Sequence, residues 1–157
     1  MVKTFNRFTG IWLLILICIS VNSPTRAQNL PTCDQVCGKW MSTEKNLVVQ
    51  VFKEGETFKA KIVWFDDSDD KSRPMDLRPD SQNPDKTLRD RKILGMSVLE
   101  KLVYVPKTNS WEKGVIYDAS HGRYWESSAY IDTDGELKVT GYWHFKFIGR
   151  TLTFTRM

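Results

Sequence analysis

Three groups of residues in this chain have side chains and spacings suited to chemistry. The first is Asp118-Ala119-Ser120-His121, an acid, a hydroxyl and an imidazole in one turn that ends at Gly122. A Ser–His–Asp hydrolase needs those residue types. Neighbours in a tight turn seldom reach nucleophile–base geometry, so a hydrolase built on Asp118 and His121 is the weakest reading. The second group is Asn83-Pro84-Asp85 followed by Arg89 and Arg91. An Asx-type turn there would hold Asp85 near both arginines and pin a long loop. The alternative is an anion pocket built on the two guanidinium groups. The third is the pair Cys33 and Cys37. A helical turn places an i, i+4 pair near the upper limit of disulfide Cα separation, so we expect a disulfide, with free thiols the alternative. The spacing is not C-x-x-C, which argues against a redox role.

Metal and phosphate chemistry find no motif. His121 and His144 lie far from both cysteines and from each other, without zinc-ligand spacing. Asp66-Asp67-Ser68-Asp69-Asp70 lacks the glycine and terminal glutamate of a calcium loop. No glycine-rich phosphate cradle occurs. We therefore expect no cofactor, no metal and no catalytic residue.

The compartment is read from the start of the chain. Ile11 to Val21 is dominated by apolar side chains, with Lys3 and Arg7 before it and Thr25-Arg26-Ala27 after it. A basic start, a short apolar run and small residues at the end describe a secretory signal peptide over 1–27, cleaved before Gln28. The run is shorter than the roughly 20 residues of a membrane span, so no transmembrane segment is expected in the mature chain. Cys18 lies inside the run behind Ile17, where a lipid anchor is not expected. The destination is the periplasm or the extracellular space. The full chain has 23 Lys+Arg and 19 Asp+Glu; losing Lys3, Arg7 and Arg26 leaves 20 bases against 19 acids. Charge so balanced gives no pull toward nucleic acid.

The elements that must position these groups are strands. After a polar lead over 28–37, the domain at 38–157 alternates in character. Leu47, Val49 and Val51 share a face, and Phe58, Ala60, Ile62 and Trp64 share another across a Gly55 turn. Strand signals recur at 98–105, 114–117, 123–131, 136–143 and 145–155, with Asp134-Gly135 a hairpin turn. The segment 66–92 breaks the rhythm with Asp, Pro and Arg, and is expected to be a lid or Ω-type loop, or disordered. No helical stripe follows the leader. About eight antiparallel strands joined by hairpins predict an all-β, up-and-down barrel, which leaves no open sheet edge.

Gly38-Lys39-Trp40, Phe58–Trp64, Asn83-Pro84-Asp85, Arg89–Gly95, Trp111–Asp118, Gly122-Arg123-Tyr124, Leu137–Tyr142 and Gly149-Arg150-Thr151 occur in an order that resembles a family of exported bacterial proteins, domain of unknown function 2147. The likeness covers Gly38 to Arg156. It implies a lipocalin-like barrel and supplies no catalytic residue. The chain departs from the family's pattern at Ala119, where a proline is usual, and at Phe154, where a tryptophan is usual. In barrels of this kind a first-strand Trp packs beneath an Arg from the last strand. That implies Trp40 beneath Arg150 or Arg156, and we assign Arg150.

Five tryptophans and all five tyrosines lie beyond the leader. Such rings plug a small barrel, or they line a cup that takes an apolar ligand at its open end. For the cup, the candidate binding residues are Trp64, Tyr117, Tyr124 and Tyr142, with Arg89 and Arg91 at the rim. The expected function is non-catalytic binding of a small apolar ligand or a cell-envelope fragment. The alternative is a solid barrel that docks a protein partner through loop 66–92.

Overall fold

The computed structural model describes residues 32–157. The expected leader, its expected cleavage site after Ala27, Cys18 and the start of the lead lie outside the described residues. Eight strands follow one another: β1 Gly38–Ser42, β2 Leu47–Glu54, β3 Thr57–Phe65, β4 Ser97–Val105, β5 Ser110–Asp118, β6 Arg123–Ile131, β7 Leu137–Tyr142 and β8 Arg150–Arg156. Each pairs antiparallel with the next, and β8 returns to β1 through Trp40↔Arg156 and Ser42↔Phe154, closing a barrel. The alternation seen in the sequence drives this. Val49, Val51, Phe58, Ala60, Leu137 and Val139 are all buried in one core. Tight turns set the registers: Gly55 at φ 59° and Gly135 at φ 79° take the left-handed conformation these hairpins need.

Bulges curl the sheet. Lys101 and Lys113 adopt φ 64° and φ 62° where the β3–β4 and β5–β6 ladders slip. Each adds an unpaired residue and sharpens the local twist.

The base of the barrel, where β8 ends and β1 begins, is packed solid. Trp40, Phe58, Leu102, Trp111 and Leu137 are at most 1% exposed. Phe58 meets Trp111 edge to face at 6.2 Å. Gly114 is required beside them: a Cβ there would lie 2.6 Å from a Leu102 methyl carbon and 2.4 Å from the Ser127 hydroxyl. A 3-10 turn at Thr32–Val36 crosses the base. Val36 O accepts from Trp40 Nε1 at 2.8 Å, and Cys33 O accepts from Trp111 Nε1 at 3.1 Å.

Three expectations are corrected at the base and along β8. Trp40 is covered by Arg156, 4.2 Å from its ring, and not by Arg150. Arg150 pairs with Gly141 at the opposite end of β8, roughly 20 Å away at the usual strand rise. Arg156 also donates to Cys37 O at 2.9 Å and to Gln35 O, tying the 3-10 turn to the barrel. Cys33 and Cys37 are free thiols. The reason is the tighter turn: at about 2.0 Å rise per residue a 3-10 helix stretches an i, i+4 pair to about 8 Å, beyond disulfide reach. Finally, Phe145–Gly149 is not strand. It forms a loop with a 3-10 turn at Lys146–Ile148, outside the core.

The segment 66–92 is an ordered loop over the mouth. Pro79 bridges Lys92, and two short 3-10 turns, Met75–Leu77 and Lys86–Leu88, shape it. Arg78 reaches across it, donating to the Arg73, Asp67 and Asp70 carbonyls.

Candidate functional site

The chemistry-bearing residues gather at the mouth end of the strands, where the loop 66–92 meets the turn 119–122 through Gln82 and Gly122 and the loop 143–149 leaves β7. Asp80 anchors the first of these. Its carboxylate is 0% exposed. Oδ1 accepts from the Tyr117 hydroxyl at 2.7 Å; Oδ2 accepts from Asn83 Nδ2 and from Arg91 Nη2, each at 2.7 Å. Asp80 N donates to Arg91 O at 2.8 Å. A carboxylate buried this deeply is tolerated because its lone pairs are met and a cation stands beside it. The Arg91 guanidinium also sits 5.7 Å over the Tyr117 ring. The Tyr117 and Tyr124 rings pack with centroids 4.8 Å apart and planes tilted by 39°.

The expected Asx turn is present, since Asp85 N donates to Asn83 Oδ1 at 2.9 Å. The pin itself is a different residue. Asp85 caps Thr87 through its amide and hydroxyl, and meets neither arginine. Arg89 donates to Asn83 O at 2.8 Å, while Arg91 is held by Asp80. The two arginines thus hold the loop through different partners, Arg89 through Nε and Arg91 through Nη2, and do not share a pocket with Asp85. Gly122 lets the loop settle, because a Cβ there would lie 1.8 Å from Gln82 O.

Burial, and next the hydrogen bond to Asp80, push the Tyr117 hydroxyl well above its ordinary value of 10.0. The folded state thus favours the neutral phenol. The stabilisation is complete below pH 10.0 and is lost as pH rises toward the shifted value, because the unfolded chain ionises first. We expect the wild type to lose stability above about pH 10, and Tyr117→Phe to lose less over that interval. Urea midpoints at pH 8 and pH 11 measure the difference.

A cleft of about 440 Å³ opens beside this network, lined by Arg123, Tyr124, Trp125 and Trp143. Ladder parity places Trp125 on the inward face. It pairs with Ile116, which packs against the core, and lies two residues from buried Ser127. Trp143, the first residue past β7, meets Trp125 edge to face at 6.1 Å. The cleft is therefore two indoles and a phenol with a guanidinium at the edge.

Of the residues expected to bind, Tyr124 lines this cleft and Tyr117 supports it from behind. Trp64 does not join them. Val49 pairs with Ile62 but Val48 with Trp64, so a bulge inserts one residue in β3 and reverses the faces beyond it. Trp64 then lies with Met41, Val48 and Val63 in a separate groove, and Phe65 takes the place beside the Ile62 cluster. Tyr142 is buried under Lys146 of the 143–149 loop and is also outside the cleft. His121 Nδ1 lies 2.7 Å from Asp118 Oδ2, so those two do meet, on the exposed turn. Ser120 contributes its amide to Asp118 and makes no hydrogen bond to His121 among the described residues. Asp80, Arg123, Trp125 and Trp143 were not identified as site residues from sequence. Parity counted back from Ser127 would have found Trp125; nothing local distinguishes Asp80 from the loop's other aspartates.

Among the described residues, no group of His, Cys, Asp or Glu is placed to hold a metal ion, and no helix is long and apolar enough to cross a membrane. Among curated proteins none matches the chain. Protein HP1028 from the human pathogen Helicobacter pylori, described as belonging to the lipocalin family, superposes with a TM-score of 0.66 at 25% identity, covering 77% of this chain and 82% of that one. The barrel is thus lipocalin-like. The family model described as an uncharacterized protein conserved in bacteria, DUF2147, matches residues 38–156, and the chain belongs to that family.

Proposed function

We propose that this is an exported, non-catalytic binding protein that holds a small amphiphile at the barrel mouth. The ligand has an apolar or aromatic body for Trp125, Trp143 and Tyr124, and an anionic group for Arg123. The observation that carries this is the 440 Å³ cleft with its aromatic walls and a lone cation at the rim. Its size and lining suit a small ligand whose few polar contacts fix its orientation. The packed base moves the ligand upward: Trp40 and Trp111 occupy the depth that an open calyx would need. The same packing favours the alternative, a solid module that docks a protein through loop 66–92.

Titration with 8-anilinonaphthalene-1-sulfonate, a small aromatic anion, separates the two. Saturable binding by the folded wild type, weakened about tenfold or more in Trp143→Ala and in Arg123→Ala, supports the cleft. Binding that is absent, or equal in all three proteins, rejects it. Intact mass of protein purified from its own envelope checks export: the chain should begin at Gln28.

A further inference from the structure

We propose that the loop Trp143–Gly149 docks this protein on the headgroup region of a bilayer containing anionic phospholipid. Four large apolar side chains stand out on this short loop: Trp143 is 63% exposed, Phe145 57%, Phe147 83% and Ile148 66%. Single exposed apolar residues are ordinary, but four within six positions form a patch with a purpose. The patch is stiff. Phe145 and Phe147 stack at 5.5 Å. Phe145 N donates to Trp143 O at 2.7 Å, Ile148 N to Phe145 O at 3.1 Å and Gly149 N to Lys146 O at 3.2 Å. Lys146 is tied to Glu112 on β5, and Gly149 lies so close to β7 that a Cβ would sit 2.7 Å from Gly141 O.

Two features favour lipid over a protein partner. A segment entering hydrocarbon must satisfy its own backbone, since the solvent there offers no hydrogen bonds. This loop bonds three of its amides internally and turns its rings outward. Residues 143–150 contain no carboxylate. Arg150 follows the loop and Arg123 shares the cleft wall with Trp143; among the described residues neither is ion-paired. Aromatic rings with flanking cations match the interface of an anionic bilayer. The inference shares Trp143 and Arg123 with the cleft and stands apart from it on Phe145, Phe147, Ile148 and Arg150.

Flotation with vesicles of phosphatidylglycerol and phosphatidylethanolamine, against phosphatidylcholine alone, tests it. The wild type should float with the anionic vesicles. Phe145→Ser with Phe147→Ser should lower partitioning at least roughly tenfold. Arg123→Glu with Arg150→Glu should lower it by roughly fivefold for each cation removed, and added salt should do the same. Both variants must keep the wild-type urea midpoint, and the Phe pair must still bind the anilinonaphthalene probe, which separates this loop from the cleft. The proposal is overturned if the wild type does not float, if the serine variant floats equally, or if sedimentation shows that the patch is covered by a second copy of the chain.

Discussion

Asp80→Ala destabilises the protein by about 2–4 kcal/mol, because three donors lose a buried acceptor while Arg91, whose side chain is 35% exposed, keeps access to water. Asp80 is wholly buried and is the acceptor for Tyr117, Asn83 and Arg91 together. Its removal leaves a cation facing a buried phenol with no counter-charge, and the loop loses its anchor to β5. Arg91 would turn further toward water, and its Nε, buried without a partner, would stay unsatisfied. Urea unfolding measures the loss as a lower midpoint at unchanged slope. Asp80→Ala combined with Tyr117→Phe should cost less than the sum of the two, since both act through one network. A deficit below 1 kcal/mol for Asp80→Ala would mean that the loop is held by other contacts.

Trp40→Ala carries the second large effect, about 3–5 kcal/mol. The ring is fully buried, donates to Val36 O and lies beneath Arg156. Truncation opens the base and frees the turn Thr32–Val36. Arg156→Ala should also destabilise, by less, because it loses a cation over the ring and two carbonyl contacts while the indole stays. Arg150→Ala should stay within about 0.5 kcal/mol of wild type, as an exposed side chain on the far end of β8. Thermal melts of the three variants would rank them; equal losses at Arg150 and Arg156 would contradict the closure described above.

The barrel was legible because a two-residue period repeats in almost every strand, and the short turns carry their own glycines. The segment 145–148, Phe-Lys-Phe-Ile, was misread as strand because hydrophobicity alone cannot tell a buried strand from a loop that keeps its rings outside. Trp64 was placed on the wrong face because a single bulge at Val63 reverses parity, and bulges leave no mark in composition. The cysteine pair depends on the same kind of local detail, a 3-10 turn where an α turn was assumed. Loop 66–92 showed its Asx turn but hid its anchor. Asp80 differs from neighbouring aspartates only by where the fold places Tyr117, thirty-seven residues later. The cleft was half visible: Tyr124 came from the sequence, whereas Trp125 and Trp143 needed the register of β6 and the end of β7.

The proposed ligand site lies at the rim, against Trp125 and Trp143, above the packed base. Indole N–H signals in a nitrogen-15 correlation spectrum report on it directly, since Trp40 and Trp111 are bonded at the base and Trp125 and Trp143 wall the cleft. On adding the anilinonaphthalene probe, the Trp125 and Trp143 signals should move while those of Trp40 and Trp111 stay in place. Movement at Trp40 and Trp111 would put the ligand inside the barrel and contradict the account, and a spectrum unchanged at all four would show that the cleft binds nothing of this kind.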